Sequence, residues 1–331
     1  MLADRPTRPT EFSHLVSLLP EYSGYTPRQV EALPAFWRDI LARGAGHSAV
    51  VFDTEQPNRV LAFGISCFID SRLATEILEY RRPLVARGLL ERWSDGHVPF
   101  LLEAQVAGAN AAGDLIVLIT HSAYPAALTE AYAAEIRYAS SQSFVSEHRG
   151  LNLRGLIAEC LTVNREYVLQ RGAKIREFSD AHETVAPGMQ RPFLCAMMRD
   201  DTALNAGNFF TDVLFHEFVP PRMHLDRGQR ELLKYALVND NDEWIAEQLG
   251  ISPSAVKKRW LAVYGALSDR RISFSPRSWL FPSGQRGPEK RRHVLRYVRQ
   301  HPEELHPYDP RRNLRSEPGP STADLQLRAA V

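Results

Sequence analysis

The chain has 331 residues, of which 44% are hydrophobic and 24% charged, and its formal net charge is +1. This length excludes a single small module and allows two domains of ordinary size, each with its own core. Residues 1–12 contain no positively charged segment followed by an apolar run, so we expect no signal peptide. Glu103, Asn110 and Asp114 interrupt the most apolar stretch, which argues against a membrane span and predicts a soluble, cytoplasmic protein.

The cysteines and the common catalytic motifs predict neither a metal site nor a catalytic residue. Cys67, Cys160 and Cys195 are far apart and form no Cys-x-x-Cys pair, so we expect reduced thiols and no structural zinc. Cys160 falls in an apolar run and is predicted to belong to the core. The sequence also lacks a Gly-x-x-x-x-Gly-Lys-Ser/Thr loop, a His-Glu-x-x-His pair and a Gly-x-Ser-x-Gly elbow.

Strand-like and helix-like runs alternate through the first two thirds of the chain. Residues 47–53 and 59–70 are rich in β-branched and aromatic residues and flank Pro57-Asn58, which predicts a β-hairpin with its turn at that dipeptide. Further strands are predicted at residues 115–120, 174–178, 192–198 and 212–218, and helices at residues 26–43, 74–91, 128–139 and 153–171. This mixture predicts an α/β or α+β amino-terminal domain.

The domain boundary is predicted near Pro220-Pro221, because each proline fixes its own backbone and keeps the preceding residue out of the helical region. We expect an α/β sensor domain over residues 1–219, a linker at 220–224 and an all-α domain over 225–300. A basic helix is predicted at residues 288–300, between Gly287-Pro288 and His301-Pro302. Residues 301–331 are predicted to form a disordered tail.

Positive charge is concentrated in the predicted helical domain. Residues 226–300 contain 15 Lys and Arg against 8 Asp and Glu, a net charge of +7. Residues 1–225 contain 21 against 26, a net charge of −5. A basic segment of this kind is either a solvated surface or a nucleic-acid interface, and charge alone does not decide between them.

Residues 241–267 have the pattern of two helices joined by a tight turn. Asn241 caps a first helix, Gly250 ends it in the left-handed conformation, and Ser252 with Pro253 begins a second. At about 100° per residue, one face of the second helix is apolar and its amino-terminal half carries a polar, basic face. The apolar face consists of Val256, Trp260, Val263, Tyr264 and Leu267.

These residues resemble the LuxR/GerE-type helix-turn-helix domain, whose pattern appears here as LDRGQRELLKYAL, IAEQLGIS and SPSAVKKRWLAVYGAL. The resemblance covers residues 225–267, with Ala255 where a threonine is usual. It implies binding of double-stranded DNA by the second helix. The implied DNA-binding residues are Ser252, Ser254, Lys257, Lys258 and Arg259.

A second resemblance lies in the sequence HRGLNLRGLI at residues 148–157. It is similar to the loop with which GNAT acetyltransferases hold the pyrophosphate of acetyl-coenzyme A, and it implies a GNAT-like fold for the amino-terminal domain. Asn152 replaces the middle glycine and Arg154 the last small residue, so the loop implies at most weak acyl-coenzyme A binding. The implied cofactor-binding residues are Arg149, Gly150, Asn152, Arg154 and Gly155.

Two functions remain open from the sequence. The first is a DNA-binding transcriptional regulator whose amino-terminal domain senses a small-molecule effector and which acts as a homodimer. In that case the protein has no cofactor and is not an enzyme. The alternative is a GNAT-type N-acyltransferase that uses acetyl-coenzyme A and carries an accessory helical domain.

Overall fold

A seven-stranded sheet organises the first two thirds of the chain, in the strand order β1-β2-β3-β4-β5-β7-β6. The structure is a computed structural model that describes residues 1–8, 10–19, 24–125, 128–161, 164–178, 192–202, 208–269 and 287–313. The strands are β1 (Leu2–Pro6), β2 (Gly46–Asp53), β3 (Gln56–Ile69), β4 (Leu115–Ala123), β5 (Leu153–Leu161), β6 (Lys174–Arg176) and β7 (Pro192–Met198). Neighbouring strands are antiparallel except β4 and β5, which run parallel.

Helices cover both faces of the sheet. One face carries α1 (Phe12–Leu15), α2 (Pro27–Ala42), α3 (Ser71–Tyr80) and α4 (Val85–Ser94) on a core that includes Trp37 and Ile157. The other face packs on a core that includes Val106, Leu156 and Val213. Its helices are α5 (Glu103–Ala112), α6 (Glu130–His148), α7 (Arg165–Leu169) and α9 (Phe209–Phe215), with α8 (Arg199–Thr202) directly after β7. The mixed α/β sheet predicted for this part of the chain is confirmed.

The carboxyl-terminal part is helical and has a core of its own. Its helices are α10 (Arg227–Val238), α11 (Asp242–Leu249), α12 (Pro253–Asp269), α13 (Gly287–Gln300) and α14 (Pro310–Asn313), with a 3-10 turn at Pro302–Leu305. The Asn241 side chain accepts the Trp244 backbone N–H and so begins α11, and Gly250 ends it at φ 63°. Val256 and Trp260 are buried as predicted. The sequence therefore located these helices correctly.

Two elements were assigned to the wrong class. Residues 153–171, predicted as one helix, form β5 followed by the short α7. β5 lies between β4 and β7 and is buried on both faces, so its apolar run carries no alternation and is easily mistaken for a helix. Residues 212–218, predicted as a strand, contain the end of α9, whose first turn is capped by the Asn208 side chain.

Several boundaries also differ from the prediction. The hairpin turn lies at Thr54-Glu55 rather than Pro57-Asn58, and the Asp53 carboxylate stabilises it by accepting the Glu55 N–H. Residues 74–91 are divided between α3 and α4, because Arg81 and Leu84 have left-handed backbones on either side of Pro83. β1 was not predicted, because its five residues show no clear alternation of apolar and polar side chains.

The predicted disordered tail is folded up to Asn313. The Glu304 carboxylate accepts the backbone N–H groups of Arg222 and Met223 and the hydroxyl of Tyr297. Asn110 on α5 donates to the Pro307 carbonyl, so this segment crosses from the helical part to the sheet-bearing part. A buried carboxylate with three donors explains the order that composition alone does not indicate. Residues 314–331 lie outside the described residues.

Candidate active site

The parallel strands β4 and β5 separate partway along their length. They pair from Leu115 with Leu153 to Ile119 with Ala158. Beyond that point β4 continues to Ala123 against β3, and β5 continues to Leu161 against β7. The two strands thus enclose a wedge, here defined by residues 120–123 of β4 and 159–161 of β5. In the part of the chain that the structure describes, no strand fills this wedge.

A cavity of about 510 Å³ occupies the wedge, and residues from both faces of the sheet line it. This volume is typical of small-molecule sites, and its lining combines apolar side chains with a few polar groups, as such sites do. The contributing residues of the two strands are Ile119, Thr120, His121, Ser122, Ala123, Leu156, Ala158, Glu159, Cys160 and Leu161. The wedge therefore positions polar groups of two strands around one binding volume.

On the α2 side of the sheet, three aromatic side chains form a chain of hydrogen bonds. The buried Trp37 indole N–H donates to Nδ1 of His121 at 3.2 Å. Nε2 of His121 lies 2.7 Å from the hydroxyl of Tyr25, whose ring stacks on the imidazole. Burial lowers the pKa of His121 to about 3, so the ring is neutral at physiological pH. Tyr25 and His121 both line the cavity.

Glu159 provides a carboxylate on the same side of the cavity. Its two oxygens accept the backbone N–H groups of Leu84 and Val85 at 3.1 and 2.8 Å, at the amino terminus of α4. Burial raises the pKa of Glu159, and the two backbone donors act in the opposite direction. A carboxylate fixed in this way, with increased proton affinity, is suited to accept a proton from a ligand.

On the α6 side, the cavity wall carries two arginines. The Arg137 guanidinium is bonded to the Tyr124 hydroxyl and to Glu130 in the first turn of α6. The Arg171 guanidinium lies 3.5 Å from the ring centroid of Tyr167. Both arginines line the cavity and contribute positive charge to it.

Two thiols lie deeper in the α6-side wall. Sγ of Cys160 and Sγ of Cys195 are 3.7 Å apart on the adjacent strands β5 and β7. The hydrogen bond with Cys195 and burial raise the pKa of Cys160 well above its usual value, so it is a thiol rather than a thiolate. Cys160 lies on the strand β5 rather than on the predicted helix.

Two histidines lie on the α6-side wall near β2 and β3. His148 accepts from the Ser66 hydroxyl at Nε2 and donates from Nδ1 to the Phe144 carbonyl. Burial lowers the pKa of His148 to about 3. His47 lies 3.3 Å from the Glu147 carboxylate, and burial lowers its pKa well below the usual value. These rings serve as neutral polar parts of the wall.

The wedge leaves room for an extended chain between β4 and β5. An extended chain between β4 and β5 would meet backbone groups of β4 that no described strand pairs with, as a strand meets a sheet edge. The adjacent loop, residues 124–129, contains no glycine, so a glycine-lined phosphate cradle is not present in its sequence. Positive charge beside the wedge comes from Arg137, Arg171 and the amino terminus of α6, which Thr129 caps.

The residues predicted to bind a cofactor lie elsewhere. Arg149, Gly150 and Asn152 lie between α6 and β5, Arg154 and Gly155 lie in β5, and none of the five lines the wedge cavity. They were predicted as part of a glycine loop that leads into a helix, and this is wrong because the strand β5 follows. They have structural contacts instead: Asn152 accepts from Arg199 at 2.6 Å, Arg154 pairs with Asp114, and a Cβ on Gly150 would lie 2.5 Å from the Glu303 backbone nitrogen.

The residues predicted to bind DNA lie on the exposed side of α12 and in the turn before it. Ser252, Ser254, Lys257 and Lys258 are exposed, and Ser252 accepts the Ala255 N–H as a helix cap. Arg259 is half-buried and donates to the Gly228 carbonyl of α10. No residue of this face lines the wedge cavity.

Sequence reasoning missed Tyr25, Trp37, His121 and Glu159. Glu159 carried a usable signal, because an acidic residue within an apolar strand must be either partnered or functional. Tyr25 and His121 are 96 residues apart, and nothing local to either residue indicates their contact. Among the described residues there is no cluster of three or more His, Cys, Asp or Glu side chains that is able to hold a metal ion. No helix among them has both the length and the apolar character needed to cross a bilayer.

No family model and no curated protein matches this sequence. Several solved structures resemble part of it. NAA60 of Arabidopsis thaliana, solved with a bisubstrate analogue, has 10% identity and a TM-score of 0.36, with 60% of this chain and 98% of that chain covered. The spermidine N-acetyltransferase SpeG of Vibrio cholerae has 8% identity and a TM-score of 0.37, with 61% and 94% covered. FeeM, an N-acyl amino acid synthase from uncultured soil microbes, has 13% identity and a TM-score of 0.35, with 62% and 96% covered.

The fold of this chain is defined by its own strand order and by the wedge. The matched structures are acyltransferases and give no support for a DNA-binding regulator. The prediction of a LuxR-type transcriptional regulator is therefore corrected, because none of these three solved structures is a DNA-binding regulator. The sheet-bearing part of this chain is a mixed α/β sheet in which β4 and β5 are the parallel pair.

Proposed function

We propose that this protein is an N-acyltransferase that binds an acyl thioester in the wedge between β4 and β5 and transfers the acyl group to an amine. The observation that carries the proposal is the cavity of about 510 Å³ at the point where the two parallel strands separate. The wedge offers strand edges for an extended arm, arginines on the α6 side and acid–base groups on the α2 side. This distribution suits two substrates that meet at the strand separation.

The reaction requires a bond exchange and a proton transfer. The amine nitrogen forms a C–N bond with the acyl carbon, the C–S bond breaks, the nitrogen loses a proton and the departing sulfur gains one. The donor supplies the activated acyl group, and the protein holds the two substrates in a reactive orientation. Glu159 is the proposed proton acceptor, because it faces the cavity, is held by two backbone N–H groups and has a raised pKa.

The apolar part of the lining suggests how the donor is selected. Ile119, Ala158 and Leu156 stand where the acyl end of the donor would lie, and Cys160 adds a soft, uncharged surface. We expect donors with short to medium acyl chains to be accepted. Coenzyme A thioesters are the first donors to test, because Arg137 and Arg171 place positive charge in the cavity wall.

Turnover and binding test the proposal together. The full chain is incubated with acetyl- to decanoyl-coenzyme A and a panel of polyamines, aryl amines and amino acids, and free thiol release is measured. Binding of each thioester is measured by isothermal titration. We expect binding and amine-dependent thiol release with at least one pair; absence of both for every donor contradicts the proposal.

A wedge-filling variant supplies the structural control. Ala158→Phe places a ring at the last paired residue of β5, inside the cavity, and is expected to abolish thioester binding. Ala262→Phe makes the same change at an exposed position on α12 and is expected to leave binding unchanged. Equal affinity in the two variants would place the ligand outside the wedge.

A further inference from the structure

Tyr25 has a hydrogen-bond arrangement that leaves its proton directed away from its partners. The Trp37 indole is a donor only, so Nδ1 of His121 must accept. A neutral imidazole with a lone pair on Nδ1 carries its proton on Nε2, and that N–H donates to the Tyr25 oxygen at 2.7 Å. The phenolic O–H is then free to donate to a different group.

That group is not protein within the residues the structure describes. Tyr25 lines the cavity, and its hydroxyl has His121 as its described hydrogen-bond partner. The ring lies over His121, which belongs to the wedge segment of β4 immediately beyond the last residue pairs with β5. The three residues thus form a one-way chain of donors, from Trp37 through His121 to Tyr25, that ends in the binding volume.

We infer that the Tyr25 hydroxyl is a catalytic hydrogen-bond donor to the acyl carbonyl oxygen of the bound thioester, and that His121 and Trp37 are positioning residues that keep its proton directed at that oxygen. This inference rests on the proposed function. Negative charge develops on this oxygen when the amine attacks, and a donor fixed beforehand stabilises it without reorganisation. A donor chain polarises its last member, which strengthens that hydrogen bond.

The chemistry of Tyr25 favours hydrogen-bond donation over proton delivery. Burial and the nearby Glu159 raise the pKa of the phenol, so the proton stays on oxygen. The neutral His121 adds no positive charge that would favour a phenolate. The hydrogen-bond chain of Trp37, His121 and Tyr25 therefore keeps the same protonation across the neutral pH range, because none of its groups ionises near pH 6.5.

Binding of two unreactive analogues tests this assignment without turnover. One is the analogue of acetyl-coenzyme A in which a CH₂ group replaces the thioester sulfur and the carbonyl remains. The other is S-ethyl coenzyme A, which lacks the carbonyl. Tyr25→Phe is expected to weaken the carbonyl analogue about tenfold, equivalent to ~1.4 kcal/mol, and S-ethyl coenzyme A less than twofold.

Matched variants separate this role from a structural one. Tyr124→Phe removes the hydroxyl of another cavity tyrosine, which accepts from Arg137, and is expected to change the two affinities equally. His121→Ala is expected to reproduce the loss seen with Tyr25→Phe, and His121→Gln, which retains a side-chain N–H, to restore part of it. With a reactive donor, Tyr25→Phe is expected to lower kcat by 10-fold to 100-fold, and by the same factor at every pH between 6 and 9.

The outcomes distinguish the inference from the proposed function. If the parent protein binds neither analogue, the proposed thioester site is wrong, and the role assigned to Tyr25 is wrong as well. If the parent binds both but Tyr25→Phe weakens them equally or not at all, the proposed function stands and the assignment of Tyr25 is overturned.

Discussion

The sheet-bearing part and the helical part of this chain differ in where their buried polar groups lie. The sheet-bearing part surrounds its wedge with His121, His148 and Glu159, whose pKa values all shift because they are buried. The helical part also buries polar groups, Glu304 and His306 among them, but these do not line the wedge cavity, and its lysines on α12 are exposed. Buried polar groups are costly and persist where they are fully partnered or used. This difference favours the wedge, rather than the basic surface of α12, as the location of the functional site.

Trp260→Ala should produce the largest change in stability and should affect mainly the helical part. The indole is 2% exposed, stacks on Tyr264 and lies under the Arg291 guanidinium, 4.6 Å from its ring centroid. Truncating such a residue typically costs about 3–5 kcal/mol. Urea unfolding measures the loss, and isothermal titration is expected to show that wedge binding survives below the transition.

Leu261→Ala is the control for this variant. Leu261 is 68% exposed on the same helix, so its truncation is expected to change stability by less than about 0.5 kcal/mol. If Trp260→Ala abolished wedge binding while the protein remained folded, the two parts would be coupled and the comparison between them would no longer hold.

Acidification should destabilise the sheet-bearing part selectively. Burial lowers the pKa of His121 and of His148 to about 3, whereas the unfolded chain takes up these protons near pH 6.5. The unfolded state therefore binds more protons, and stability is lost as the pH falls from about 6.5 toward 3. At pH 5 the loss is about 2 kcal/mol for each histidine.

The slope of stability against pH tests this effect. The raised pKa of Glu159 acts with the opposite sign, because protonation of the folded state then adds stability as the pH falls. Unfolding of the parent and of His148→Gln is compared at pH 7.5 and pH 5, and the variant should lose about 2 kcal/mol less over this interval. Equal losses would mean that His148 is charged in the folded protein.

Glu304→Gln should weaken the connection between the two parts by a smaller amount. The carboxylate accepts two backbone N–H groups and the Tyr297 hydroxyl, and a glutamine amide directs N–H groups at some of these donors. We expect a loss of about 1–2 kcal/mol and faster hydrogen exchange at Met223. Unchanged exchange at Met223 would show that this carboxylate does not hold the segment in place.

Lys257→Ala and Lys258→Ala should have the smallest effects. Both side chains are exposed on α12, away from the wedge, so stability is expected to change by less than about 0.5 kcal/mol and wedge binding not at all. Thermal unfolding and isothermal titration check these two expectations. A loss of thioester affinity in either variant would show that the basic face contributes to the site.

The sequence alone determined the local elements whose ends are marked by capping residues. Asn241, Gly250 and Pro253 define α11 and α12, and Thr26 with Pro27 begins α2, because each acts on backbone within a few residues of itself. The hairpin of β2 and β3 followed from its residue composition. The fold class of the sheet-bearing part was therefore predictable.

Only the tertiary structure decided where the site lies. β5 was mistaken for a helix because burial on both faces removes the alternation that identifies a strand. The wedge exists because β4 and β5 pair over five positions of β4 and then follow different neighbours, a property of strand pairing across the sheet rather than of either segment. Tyr25, Trp37 and His121 meet across long sequence separations, and their shared proton arrangement depends on distances that no local pattern encodes.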